Sequence, residues 1–181
     1  MKYLVGAFLR VFVGLVLATA ACAEEVTITS VGQTSDGMLV KVLMKGMAVD
    51  PGYNSGLTAQ SLGSQKALIV VVGGSSKGLG AAGVTLDQER SRARLLLQEA
   101  RKRGIRVLLM HIGGARRRGE LTDTFIEATV GLADRLVVVA PGNLDGIFSK
   151  GRASGATLTE VDTPRAAVPV VSSTLQDWGL K

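Results

Sequence analysis

The residues best suited to chemistry lie in four glycine-bearing stretches: "SVGQTSDG" (30–37), "GGSSKGLGAAG" (73–83), "HIGGARRRGE" (111–120) and "APGNLDG" (140–146). Within them stand Gln33, Thr34, Gly74, Ser75, Ser76, Lys77, Gly78, His111, Arg116, Asn143 and Asp145. Glycine tolerates positive φ and lets backbone N–H groups come close to a ligand. Lys77 and one of Arg116 to Arg118 would add positive charge to those donors. That combination favours a small polar or anionic molecule.

The better-known chemistries of such loops fail on particular residues. "Gly78-Leu-Gly80-Ala-Ala-Gly83" has dinucleotide-fingerprint spacing, but there the helix starts inside the fingerprint. Here the cap signal falls at Thr85, beyond the last glycine. The Tyr-x-x-x-Lys pair of short-chain dehydrogenases is also missing, since Tyr53 is followed by Leu57. "Gly74-Ser75-Ser76-Lys77-Gly78" matches the Gly-x-Ser-x-Gly nucleophile elbow. Its only candidate base is His111, the single histidine, and between Ser76 and His111 the acids Asp87, Glu89 and Glu99 fall on a helix. The elbow also expects its helix at once. A Walker loop is excluded because Lys77 has too few loop residues before it and is followed by Gly. One histidine and one cysteine make a zinc site a poor expectation, and no cofactor is expected.

The elements that position these loops follow from hydrophobic patterning. "EVTITS" (25–30) predicts a strand and "DGMLVKVLMKG" (36–46) a helix, followed by a turn-rich connection over 47–66. The apolar runs 66–72, 105–112 and 135–140 predict strands buried on both faces. Thr85 and Gln88 have capping-box spacing for a helix over 86–103, with Leu86, Ala93, Leu97 and Ala100 on one face and Gly104 ending it. Leu121, Phe125, Ala128 and Leu132 line another helix. Asp145 to Ala153 predicts a short helix and the half-polar 156–162 an edge strand. Thr163 and Pro164 predict the start of a last helix, although Pro169 lies inside it.

Five strands alternating with helices predict a three-layer α/β/α sandwich with a mostly parallel, Rossmann-like or flavodoxin-like sheet. Strand order stays open. The flavodoxin order 2-1-3-4-5 would put the apolar run 66–72 at an edge, whereas 3-2-1-4-5 keeps it inside. In either case the four glycine stretches follow strand ends and gather on the carboxyl rim, where such sheets bind ligands.

The chain has 181 residues, 21 basic and 15 acidic. Lys2 and Arg10, the apolar stretch 11–21 and the small-x-small site Ala21-Cys22-Ala23 predict a secretory signal over residues 1–23. The alternatives are an uncleaved anchor and lipidation at Cys22, where Thr19 stands in place of the favoured Leu. Cleavage after Ala23 leaves a single domain, 24–181, without cysteine and with a net charge of +4. Its fold must rest on a core rather than disulfides. Aromatic residues make up 4% of the chain, too few for base-stacking platforms, and export also argues against a nucleic-acid partner.

The segments "VGQTSDGMLVKVL" (31–43), "GGSSKGLGAAG" (73–83), "MHIGGARRRG" (110–119) and "GNLDGIF" (142–148) resemble a family of exported, single-domain bacterial proteins of unknown function. The resemblance implies an α/β domain and carries over no catalytic residue. Two expectations remain. One is an extracytoplasmic module that binds a small polar or anionic molecule at the sheet's carboxyl edge, its pocket covered by a partner protein or a homodimer. The other is an exported hydrolase or isomerase using His111 with Ser75 or Ser76.

Overall fold

The structure, a computed structural model, describes residues 24–180; the signal segment and its cleavage site lie outside the described residues. A parallel six-stranded sheet forms the middle layer. Its strands are β1 (Val26–Val31), β2 (Gly52–Tyr53), β3 (Ala67–Val72), β4 (Arg106–His111), β5 (Arg135–Val139) and β6 (Thr157–Val161). They lie in the order β2-β1-β3-β4-β5-β6. Every pairing is parallel, as in Ile28↔Ile69, Leu68↔Val107 and Leu109↔Leu136.

The sixth strand settles the strand order. Gly52 and Tyr53, inside the connection expected to be loop, pair with Thr27 and Ile28 of β1. This two-residue β2 takes one edge, so the run 67–72 becomes the third strand rather than the second. The flavodoxin order therefore holds with the most apolar strand inside, and β6 forms the other edge. All six residues of β3 are buried, which is the burial that its unbroken aliphatic sequence requires.

Side chains alternate across the strands and feed two separate cores. Leu68, Val70, Val72, Val107, Leu109, Leu136 and Val138 face one layer of helices, α2 (Ser76–Ala82), α3 (Leu86–Lys102) and α4 (Glu120–Thr129). Ala67, Ile69, Val71, Leu108, Met110 and Val137 face α1 (Asp36–Leu43) and α6 (Ala167–Asp177) on the other side. A fifth helix, α5 (Ser149–Ala153), precedes β6. The Thr85–Gln88 capping box is formed in both directions. Pro169 is the third residue of α6, where a backbone N–H has no intrahelical acceptor to lose. No helix among the described residues is long and apolar enough to cross a membrane.

One element departs from expectation in a way that matters for the site. The stretch 76–82 is helical, not loop: Ser75 caps α2 by accepting from the Gly78 amide at 3.0 Å, and Gly83 closes it at φ 66°. Glycines at 78 and 80 give this segment little intrinsic helix propensity. Its helicity comes from tertiary contact, with Leu79 buried and Gly78 pressed against the preceding loop.

Candidate functional site

The carboxyl rim begins with two loops locked together. Gly73 N donates to Val31 O and Ser75 N to Gly32 O, both at 3.0 Å. A Cβ on Gly32 would lie 2.2 Å from Gly73 O, and one on Gly78 would lie 2.1 Å from Gln33 O. Gln33 has φ 51°, the one positive value outside glycine among the described residues. The crevice between β1 and β3, the switch point of this strand order, is thus closed by backbone.

A buried ion pair fixes the loop after β1. Glu89 is 1% exposed and its carboxylate accepts from Gly32 N (2.9 Å), Gln33 Nε2 (3.1 Å) and Arg92 (2.7 and 2.8 Å). Arg92 in turn donates to Ser30 O and Leu57 O. Sequence reasoning missed this pair. Its signal was an acid in line with Ala93, Leu96 and Ala100 on the buried face of α3.

The loops after β4 and β5 are joined by Arg118. Its guanidinium donates to Asp123 (2.6 Å), to Asp145 (2.7 and 3.0 Å) and to the Gly142 carbonyl. These bonds, Asp145 first, hold the Arg118 guanidinium well above its usual range, and the same contact lowers the Asp145 carboxyl to about 2. Arg118 also lies 6.0 Å from the centre of the Phe148 ring, which stacks on His111 at 5.6 Å.

His111 is fully buried, with Nδ1 3.0 Å from Val72 O and Nε2 3.2 Å from Gly114 O. Both ring nitrogens face carbonyls, not a serine hydroxyl. The elbow requires a helix at once and the fingerprint a helix inside it; α2 starts at Ser76 and removes that objection to each, while the missing Tyr-x-x-x-Lys pair and the lack of an acid outside the intervening helix still stand. What separates this site from a Ser–His pair is where the histidine's nitrogens point.

The remaining candidates divide by what they bond. Ser75 caps α2, Gln33 is held by Glu89, and Thr34 Oγ1 accepts from Asp36 N at 3.2 Å. Asn143 donates to Glu160 and accepts from Phe148 N. Gly74 N donates to Thr122 Oγ1 at 2.8 Å. Ser76, Lys77 and Arg116 are exposed. Gly74 and residues 116–122 line an open groove of about 310 Å³ that includes Arg116, Arg117 and Thr122, with Glu120 at its side. The N-terminus of α4 opens there, and its N-cap, Gly119, supplies no capping side chain. No cluster of three metal-ligating side chains occurs among the described residues.

Fold and rim together define a parallel three-layer α/β domain. Over residues 23–175 the chain matches the family described as a domain of unknown function (DUF6305), and it belongs to that family. A search of curated proteins found no match. Solved structures similar to it include AlinE4, an SGNH-hydrolase family esterase, at 15% identity and TM-score 0.32, covering 86% of this chain and 95% of that one. A mutant of the same esterase gives 13% and 0.33, with the same coverage. Likeness at that level carries no argument about activity.

Proposed function

We propose that this domain is an exported binding module whose groove at Gly74 and residues 116–122 takes a small anionic molecule. The observation that supports this reading is the convergence on one groove of Arg116, Arg117 and the first turn of α4, whose N-cap, Gly119, has no side chain. The open N–H groups of a helix start and two guanidinium groups complement an anion's charge and its acceptor atoms. Gly74 lets the β3 loop approach α4 closely, since a Cβ there would lie 2.8 Å from Thr122 N. The groove is open to solvent, and a partner protein or a second copy would close it. Export rests on the sequence of residues 1–23.

Calorimetric titration of the purified protein with inorganic phosphate and with succinate tests the reading. Arg116→Ala should weaken binding about tenfold or more, the scale of a lost charged hydrogen bond. Heat signals that are absent in the wild type, or unchanged in Arg116→Ala, would overturn it.

A further inference from the structure

Asp36 is the anomaly of the rim. It is the first residue of α1, and its side chain is 10% exposed. Its Oδ2 is buried and has no hydrogen-bond partner, while Oδ1 has only a long contact, 3.8 Å, to Arg117 Nη2. A buried carboxylate without hydrogen bonds is costly unless something donates to it. The group lies against the arginine-bearing loop: a Cβ on Gly113 would stand 3.3 Å from Asp36 Oδ2 and 2.4 Å from Arg117 Cβ. Thr34 Oγ1 holds the Asp36 amide and so fixes where the carboxylate begins.

Arg117 belongs to both places. It lines the groove, its guanidinium stands 3.8 Å from Asp36 Oδ1, and its side chain is 53% exposed. A guanidinium held by one 3.8 Å contact is free to turn toward an arriving anion, and turning leaves Oδ1, the oxygen that faces it, open to a donor.

We propose that Asp36 is the second half of the binding site, accepting a hydrogen bond from a hydroxyl or ammonium group of the ligand while Arg117 takes the ligand's carboxylate. The ligand class is then a small hydroxy- or amino-substituted carboxylate. This rests on the anion-binding reading above and adds to it a requirement for a donor.

The test uses three anions of one skeleton: succinate, L-malate, which adds a hydroxyl, and L-aspartate, which adds an ammonium. Calorimetric titration of the wild type should show malate or aspartate binding at least about tenfold more tightly than succinate. In Asp36→Asn the advantage of L-aspartate should fall at least about tenfold, because the amide keeps an acceptor oxygen but not the charge that holds an ammonium. Equal affinity of the wild type for all three would overturn the proposal while leaving the anion groove standing. A uniform loss for all three in Asp36→Asn would also overturn it, since Asp36 would then only hold Arg117. Binding of none of the three would remove the anion groove and this proposal together. If Asp36→Asn does not fold, the wild-type series still decides, and Arg117→Ala should weaken all three.

Discussion

The Glu89 carboxylate and the Arg92 guanidinium are joined by two bonds, 2.7 and 2.8 Å, one turn apart on α3. Together they also hold Gly32 N, Ser30 O and Leu57 O, backbone groups more than thirty residues away. Removing one partner leaves a buried charge bare, which costs about 3–5 kcal/mol. Glu89→Leu should lose stability on that scale in urea unfolding. Adding Arg92→Leu should recover part of the loss, because no bare ion then remains.

Two glycines of α2 make a matched pair. At Gly80 an added Cβ meets nothing within 4 Å, while at Gly78 it meets Gln33 O at 2.1 Å. Gly80→Ala should raise stability by about 0.5–1 kcal/mol through helix propensity. Gly78→Ala should lower it and disturb the Gln33 loop. Melting temperatures of the two variants, measured side by side, check both signs.

The Arg118–Asp145 contact carries a pH dependence. The Asp145 carboxyl falls from an ordinary 3.8 to about 2 in the folded protein. The stability that it contributes is therefore fully present above about pH 4 and is lost as pH falls through about 2. Asp145 is 57% exposed, so salt should shrink the effect. Asp145→Asn should flatten this part of the acid-unfolding curve, and wild type in 0.5 M salt should lie between.

His111→Ala should act on folding. It would remove the ring's contacts with Val72 O and with Gly114 O, the latter also held by Arg117 N, and the ring stacked on Phe148. The expected cost is about 3 kcal/mol from the lost hydrogen bonding and the lost contacts of a fully buried ring, read by chemical denaturation. Undiminished stability would contradict the role given to this side chain.

The three central strands and α3 were legible because each signal is local. Their aliphatic runs have no alternative to burial on both faces, and Thr85 with Gln88 is a self-contained cap. β2 was not legible: Gly52 and Tyr53 carry no strand pattern and pair only because β1 offers its edge. α2 was hidden for the opposite reason, since its glycines argue for loop, and the Ser75 cap, the burial of Leu79 and the fit of Gly78 against Gln33 accompany its helical turn. At the rim, the sequence placed the glycine stretches after strand ends but did not indicate what their side chains bond, and of the residues singled out there only Gly74 and Arg116 line the groove. Asn143 and Asp145 are occupied by Glu160 and Arg118, partners that lie 17 and 27 residues away. Asp36 opens the expected helix 36–46, and nothing in the sequence around it signals a buried carboxylate oxygen without a partner.

The two edges of the sheet are unequal, and this limits how copies of the chain could join. β6 offers five residues of unpaired backbone, whereas β2 offers two. A neighbouring strand can find a full ladder of hydrogen bonds only along β6. Two copies joined there, by the same edge about a twofold axis, would present a β2 at each outer end, and addition would stop. Among the described residues, strand addition of this kind would stop at two copies, because the β2 edge is only two residues long.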